Sequence, residues 1–218
     1  MSNTPEWPSE DRINVIGQNG NDGEHYQSMG NTKMLTVNQY ALYMALQTVK
    51  HAMPKNDVRN YLNGIHLKRE GEALAVTTTD GHRIVQCAVT VDAGDDFELI
   101  ICAKKLPQIL AFIKCNGGTS TIELDVTNST LGGLAFDVIE CDRYPNVEMQ
   151  FLKFANSEPV KLNGMSGKYL TDMSRAFTAL NKYGVMGMTI CSEGAYIEGH
   201  SAIKHLGNAR SCIALVRI

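Results

Sequence analysis

Residues 73–91 read ALAVTTTDGHRIVQCAVTV, and this stretch decides the fold. Two runs rich in β-branched and apolar residues, 73–79 and 83–91, lie on either side of an Asp80-Gly81 pair. An Asp-Gly pair readily adopts the positive φ angles that a tight hairpin requires, and the flanking composition is typical of strands. The stretch therefore predicts an antiparallel β-hairpin with its turn at Asp80-Gly81.

On both sides of this hairpin the chain shows a weak internal repeat. Patterns with helical periodicity start near Asn38, Ala103 and Gly167, and each is followed by short β-like runs separated by turn signals. The expected strands are residues 61–68, 73–79, 83–91, 120–126, 134–140, 185–191, 195–199 and 211–218. The sequence predicts an α+β protein of three units, each with one helix and a meandering antiparallel sheet.

The composition of the 218 residues is that of an ordinary globular protein, with 44% hydrophobic and 20% charged residues. No apolar run approaches the roughly 20 residues that span a membrane, and the polar first thirty residues do not resemble a secretory signal. Six widely spaced cysteines form no C-x-x-C pair, so we interpret them as reduced, structural residues. We expect a cytoplasmic protein with no membrane partner, no metal and no cofactor.

The first 33 residues differ in composition from the rest of the chain. They are rich in Asn, Gly, Glu, Ser and Pro, and they hold five acidic but only two basic residues. The net charge of −3 comes from this segment, since acids and bases balance in the remaining body. A segment with so few aliphatic side chains cannot offset its ordering entropy by burial. Residues 1–33 are therefore predicted to form a disordered polar tail.

Basic residues recur on the predicted helices. Lys168, Arg175 and Lys182 follow at intervals of seven residues, which places them on one face of the third helix. The other basic residues that flank the first two helices are Lys50, Lys104, Lys105 and Lys114. A solvated helix face is the ordinary explanation for such charges. A nucleic-acid interface requires in addition that the three helices line one surface.

Enzyme motifs do not fit this sequence. Residues 164–169 read GMSGKY, with Tyr169 where a P-loop needs Ser or Thr and with the wrong glycine spacing. The chain contains neither an H-E-x-x-H zinc motif nor a G-x-S-x-G elbow. Asp80 and His82 leave open a hydrolase or nuclease pair as a minor alternative. We predict a protein that is not an enzyme.

Two linked motifs carry a family resemblance. Residues 57–65 read DVRNYLNGI and residues 79–84 read TDGHRI. In this order and at this separation they resemble the middle domain of the bacterial DNA polymerase III beta subunit, the DNA sliding clamp, with its VRxYLNG strand and ATDGHRL hairpin. Residues 142–145 are similar to the family's GRFPDY within a match that continues over 97–151. Residues 160–218 resemble the closing half of the family's last domain, including the terminal Val216-Arg217-Ile218.

The resemblance covers residues 34–218 and implies a sliding-clamp fold, a ring with helices on its inner wall and continuous sheet outside. It implies that DNA is held without sequence readout by the inner-helix residues Lys50, Lys104, Lys105, Lys114, Lys168, Arg175 and Lys182. It also implies a hydrophobic cleft for short peptides of DNA polymerases or repair proteins. The matching cleft positions are Leu62, Thr79, Gly81, His82, Arg83, Ile84, Pro145, Val216, Arg217 and Ile218. An ATP-driven clamp loader would open the ring.

The chain is about half the usual family length, which sets its expected organisation. We expect a clamp domain of two units at 34–152 and a half domain at 153–218. A family ring contains twelve units, so three units per chain predict a homotetramer with head-to-tail contacts. The family's basic pair after Pro145 is missing, and Leu215 stands where a proline is usual. These departures leave a second hypothesis, a phage or plasmid accessory protein that binds clamp partners or a host clamp without encircling DNA.

Overall fold

The computed structural model describes residues 33–141, 144–158, 165–181 and 186–214. Within these ranges the chain forms four α-helices, which are α1 Gln39–Val49, α2 Leu106–Phe112, α3 Val147–Ala155 and α4 Gly167–Thr178. The strands are β1 Met34–Asn38, β2 Gly64–Glu70, β3 Ala73–Thr79, β4 Arg83–Thr90, β5 Phe97–Cys102, β6 Thr121–Asp125, β7 Thr130–Leu131, β8 Leu134–Ala135, β9 Met186–Cys191, β10 Gly194–Gly199 and β11 Leu206–Ala214.

The strands form two antiparallel sheets. The smaller sheet has the order β1-β6-β7-β8, and the larger one has the order β5-β2-β3-β4-β11-β10-β9. The larger sheet joins strands from the first and third repeats through the β4–β11 pair. We call the three repeats unit 1 (residues 34–90), unit 2 (residues 97–135) and unit 3 (residues 167–214). The predicted α+β architecture of three helix-and-sheet units is confirmed.

The predicted hairpin is the β3–β4 hairpin. The Asp80 carboxylate accepts hydrogen bonds at 3.0 Å from the backbone N–H groups of both His82 and Arg83. Gly81 adopts a φ of +85°, a region that L side chains rarely occupy. Asp80 therefore closes the turn with its side chain, while Gly81 supplies the backbone conformation.

Helices α1, α2 and α4 form one layer, with α1 in contact with both of the others. Alternation along β4 and β11 assigns the faces of the larger sheet. Val85 belongs to the main core with α1, and Ser211 Oγ contacts the sulfur of Met173 on α4 at 3.0 Å. Ile84 and Cys212 point the other way, into the cluster under α3. Helices α1 and α4 therefore cover one face of the sheet, and α3 covers the opposite face.

Two predicted strands are shorter than expected. Residues 60–62 form a 3₁₀ turn, because the Asn63 amide bonds both the N–H and the C=O of Asp57, at 2.8 and 2.7 Å. Such side-chain bonds compete with strand pairing. The strand predicted at 134–140 ends at Ala135, because the chain then turns toward β5, where Ile139 N–H bonds Ile100 C=O at 2.8 Å.

Other boundaries also differ from the sequence-based expectation. A 3₁₀ turn at Ala103–Lys105 precedes α2, whose first turn contains Pro107 as expected. The last strand starts at Leu206 rather than at 211, and residues 215–218 lie outside the described ranges. Helix α3 was not predicted, and it spans the boundary expected between 152 and 153. The division into domains at that point, like the disorder of residues 1–33, stays a prediction.

Candidate nucleic-acid interface and partner cleft

The layer formed by α1, α2 and α4 is strongly biased toward positive charge. Helices α1 and α2 contain no charged residue, and α4 contains one acid, Asp172. The basic residues on α4 and in the turns that flank α1 and α2 are Lys50, Lys104, Lys105, Lys114, Lys168 and Arg175. Lys182 lies outside the described residues. This layer therefore contains six described basic residues and one acidic residue.

Asp172, the single acid of the layer, is paired with Arg83 of the β3–β4 hairpin. Arg83 Nη1 lies 2.6 Å from Asp172 Oδ2, and Arg83 Nε lies 3.0 Å from Asp80 Oδ2. The Arg83 guanidinium also stacks over the Tyr169 ring, at 4.6 Å from its centroid. Because buried Arg83 satisfies Asp172, the nearby Arg175 is held only loosely, at 3.8 Å, and its side chain remains 67% exposed. Its charge is therefore available to a ligand.

Exposure differs among the predicted basic residues. Lys104, Lys114 and Lys168 are exposed, whereas Lys105 is half-buried. Lys50 is also half-buried, and its ammonium donates a hydrogen bond to the Gln47 side chain. The exposed Lys104, Lys114 and Lys168 are therefore better placed to reach a phosphate than Lys50, which would first have to give up its bond to Gln47.

His51 adds a titratable group to this layer. It follows Lys50 in the 3₁₀ turn after α1, and it is half-buried. Burial first, and then the positive charge of Lys50, lower the pKa of His51 below its ordinary value. Burial, reinforced by the positive charges that would attract an anion, therefore favours the neutral imidazole.

The predicted partner-cleft residues lie around the β3–β4 hairpin in three different environments. Leu62 and Thr79 are buried, and the Thr79 hydroxyl donates to Arg83 C=O at 2.7 Å while accepting from Gly81 N–H at 3.0 Å. Gly81 and His82 are exposed, and the His82 ring stacks near Tyr169 with centroids 6.5 Å apart. These contacts connect the hairpin to the start of α4.

Arg83 and Ile84 point to opposite faces of the sheet. Arg83 is 6% exposed and engaged by Asp80 and Asp172, so it fixes the hairpin to α4. Ile84 packs against the cluster beneath α3. Pro145 is exposed, immediately before α3. Val216, Arg217 and Ile218 lie outside the described residues, so the structure does not place this part of the predicted cleft.

Helix α3 is the main feature near the cleft that the sequence did not reveal. The Asn146 side chain caps it by accepting from Met149 N–H at 3.0 Å. Val147, Phe151 and Phe154 lie at intervals of four and three residues and are buried in one cluster. That spacing after an Asn cap is the signal in the sequence that could have predicted the helix. The helix covers the sheet surface next to Ile84.

Two polar aromatic groups are buried beside α3. The ring of His66 stacks on that of Tyr144 at 3.9 Å, and His66 Nε2 lies 2.7 Å from Glu98 Oε1. Burial lowers the pKa of His66, against the opposing effect of Glu98. Burial also raises the pKa of the Tyr144 hydroxyl above its ordinary range. Both groups are therefore held neutral, as expected of packed structural residues rather than of acid–base catalysts.

Comparison with known protein families gives a match over units 1 and 2. Residues 36–138 match the family model of the DNA polymerase III beta subunit, central domain. Over these residues the chain is similar to the DNA polymerase III beta-subunit family. The beta sliding clamp of Salmonella typhimurium is 25% identical over 105 residues, which are 48% of this chain and 28% of that protein. The beta sliding clamp of Pseudomonas putida is 30% identical over 94 residues, 41% of this chain and 26% of that protein.

Solved clamp structures share the fold over most of the chain. The DNA polymerase III subunit beta from Pseudomonas aeruginosa superposes with a TM-score of 0.63 at 14% identity, over 95% of this chain and 70% of that one. The beta subunit from Thermotoga maritima gives a TM-score of 0.55 at 10% identity, over 85% of this chain and 65% of that one. The fold likeness thus extends beyond residues 36–138 and includes unit 3.

The curated sequence matches span little more than a quarter of the relatives' own length. The sliding-clamp family is not a family of enzymes, which agrees with the prediction made for this chain. Within the described ranges, no helix is long and apolar enough to cross a membrane. In the same part of the chain, no three His, Cys, Asp or Glu side chains gather as a metal site.

Proposed function

We propose that this chain is a DNA sliding-clamp subunit, several copies of which encircle duplex DNA and tether polymerase or repair proteins. The observation that carries the proposal is the charge of the layer formed by α1, α2 and α4. The layer contains six described basic residues and one acid, Asp172, and Arg83 already neutralises that acid. A basic surface of this kind attracts the phosphate backbone without reading bases.

Weak contacts suit a protein that must move along DNA. Long, flexible and solvent-screened lysines contact phosphates transiently, and their attraction falls as salt rises. The exposed side chains Lys104, Lys168 and Arg175 have this character. Helices α1 and α2 add no acidic residue that would repel a phosphate. The layer thus supports affinity for any duplex rather than for one sequence.

Assembly size follows from the number of units. Three units per chain make four copies the number needed for a ring of twelve units, with a particle mass near four times 23.9 kDa. We propose this homotetramer, with an ATP-driven loader to open it. Partner proteins would dock through short peptides beside the β3–β4 hairpin, where His82 and Pro145 are exposed.

A charge-reversal pair tests the DNA interface. Lys168→Glu with Arg175→Glu changes the helix layer, whereas Lys68→Glu with Lys153→Glu makes the same charge change on the face covered by α3. Lys68 and Lys153 are paired with Glu70 and Glu193 in the structure. We expect only the helix-layer pair to weaken duplex binding, and the salt slope to fall by about 0.9 for each phosphate that is no longer neutralised. An equal weakening by both pairs would refute the interface.

The altered cleft motivates a second candidate, an accessory protein that binds clamp partners or a host clamp without encircling DNA. Helix α3 covers the surface beside Ile84, where the resemblance implies an open cleft. A circular duplex separates the two functions. A ring that encircles the DNA slides off when a restriction enzyme linearises the circle. A protein that binds the DNA directly stays bound to the linear product.

A further inference from the structure

His51 lies in the 3₁₀ turn Lys50–Ala52, where the end of α1 packs against α4. The backbone is fixed on both sides of this residue. Val49 and Ala52 are fully buried, and the Thr78 hydroxyl on β3 donates a hydrogen bond to Val49 C=O. The imidazole is therefore attached to a rigid part of the basic layer rather than to a loose loop.

The side chain of His51 is half-buried and has no fixed hydrogen-bond partner. Within the described part of the chain, neither of its ring nitrogens forms a hydrogen bond. The buried ring of His66 differs in this respect, because its Nε2 lies 2.7 Å from Glu98 Oε1. A ring that is partly open to solvent and makes no internal bond can donate to a ligand without giving up a contact.

Four charged side chains lie near enough to His51 to influence its titration, and three of them are basic. Lys50 precedes it in the same turn, Arg83 lies on β4, and Asp172 and Arg175 lie on α4. Helix α1 and strand β3, which also pack against the turn, contain no charged residue. Because Arg83 pairs with Asp172 at 2.6 Å, Lys50 and Arg175 leave an excess of positive charge around the imidazole.

A phosphate at this surface would change the balance of charge at His51. In the free protein, burial and then Lys50 lower the pKa of the imidazole. An anion that contacts Lys50 or Arg175 brings negative charge to the same place, and an opposite charge within roughly 4–6 Å favours the charged form of a titratable group. The ring would then take up a proton and donate a hydrogen bond to the anion.

We infer that His51 is a phosphate-binding residue of the helix layer that contacts duplex DNA in its protonated form, so that DNA binding takes up one proton. The proton comes from solvent, is held on the imidazole while the phosphate is in contact, and returns to solvent when the DNA dissociates. The inference deepens the proposed function, since it assumes that the layer formed by α1, α2 and α4 meets the duplex.

Proton linkage fixes the direction of the pH effect. The pKa of His51 is lowered in the free protein, and a bound phosphate raises it again. Between these two pKa values the complex holds more protons than the separate components do. Duplex affinity should therefore rise as pH falls through the pKa of the complex, and it should become constant below the pKa of the free protein. A difference of one pKa unit corresponds to about a tenfold change in affinity.

The first test compares duplex affinity at about pH 7.5 and about pH 5.5, at constant ionic strength, by fluorescence anisotropy. We expect the affinity of the unaltered chain to rise at least about threefold at the lower pH. His51→Gln should lose most of this rise, because the amide does not take up a proton. His66→Gln removes a buried imidazole beside α3 and serves as the matched control, which should keep the rise. A full rise in His51→Gln would overturn the inference.

A permanent charge at the same position gives the opposite result. His51→Arg should bind duplex DNA at about pH 7.5 at least as tightly as the unaltered chain binds it at about pH 5.5, with little further dependence on pH. Met149→Arg adds the same charge on α3, at a residue that is 57% exposed, and should leave the affinity nearly unchanged. Weaker binding by His51→Arg than by His51→Gln would contradict the contact.

Calorimetry measures the proton directly and separates the two possible failures. At a pH near the ordinary pKa of 6.5, the heat of duplex binding should depend on the ionisation enthalpy of the buffer for the unaltered chain, and should not for His51→Gln. Salt-dependent binding with the same proton uptake in both proteins would overturn only the role of His51. Failure of the unaltered chain to bind duplex at either pH would overturn the proposed function as well.

Discussion

Units 1 and 3 share four described elements, which lie in different surroundings. Each has a helix followed by three antiparallel strands, and the strands β2 and β9 follow their helices at corresponding places. β2 is mostly buried beside β5, whereas half of β9 is exposed. Helix α1 carries no charge, whereas α4 carries Lys168, Asp172 and Arg175. The comparison teaches that a unit's neighbours, rather than its own pattern, decide how much of it is buried.

The largest expected effect concerns the core of unit 3. Phe177 is fully buried and lies so close to Gly199 that a Cβ there would be 2.4 Å from its ring. Phe177→Ala should lower the free energy of unfolding by about 4 kcal/mol, and Leu46→Ala in unit 1 by about 3 kcal/mol. Because the β4–β11 pair joins the two units, chemical denaturation followed by circular dichroism should give one shared transition. A separate transition of Phe177→Ala at lower denaturant concentration would show that unit 3 unfolds independently of unit 1.

A somewhat smaller effect is expected where the two units are tied together. Arg83→Met leaves the Asp172 carboxylate without its buried partner, and we expect a decrease of about 3 kcal/mol in unfolding free energy. Arg83→Met combined with Asp172→Leu should recover part of this decrease, because it removes the Asp172 charge that the single variant leaves unpaired. Denaturant unfolding of the two variants measures this coupling. Equal stability of the single and double variants would contradict it.

Helix capping gives a third contrast between the units. The Asn38 side chain caps α1 by accepting from Ala41 N–H at 2.9 Å, whereas Ser166 makes no side-chain capping bond to α4. Asn38→Ala should cost about 1 kcal/mol of unfolding free energy. Ser166→Ala should leave the thermal midpoint nearly unchanged. A decrease in unfolding free energy for Ser166→Ala as large as that for Asn38→Ala would show that Ser166 stabilises α4 after all.

The smallest expected effect is the pH dependence that His66 gives to unit 1. Its pKa is lowered in the folded state, so the unfolded chain binds the proton more readily. Stability should therefore be fully present above the ordinary pKa of 6.5 and should decrease as pH falls through the lowered pKa. Glu98 opposes the shift, which limits the effect. His66→Gln should flatten the dependence of the thermal midpoint on pH below neutrality, and an unchanged pH profile would exclude this source.

Local patterns explain the part of the fold that the sequence predicts. The Asp80-Gly81 hairpin, the helices at α1 and α4, and the first turn of α2 all depend on neighbours in sequence. Helix α3 was missed because only burial over strands distant in sequence makes Phe151 a core residue. The early end of the strand after Leu134 depends on bonds to β5, another distant element.

The candidate site was predictable to a different degree on its two sides. The basic residues follow from composition and spacing, but the half-buried state of Lys50 depends on its bond to Gln47. Arg83 matched a cleft position in the resemblance, yet its contacts with Asp172 join residues 89 apart in the chain. Periodicity carries no information on such a pair. The residues of the cleft stay a prediction for binding experiments.

Site-specific photocrosslinking tests most directly which face of the chain meets DNA. A benzophenone amino acid replaces Lys104 or Lys168 in the helix layer, or Lys153 on α3 as the control, and each protein is irradiated with duplex DNA. The basic layer predicts crosslinks from positions 104 and 168 and none from position 153. Crosslinks from position 153, with none from the other two, would contradict the proposal that α1, α2 and α4 surround the duplex.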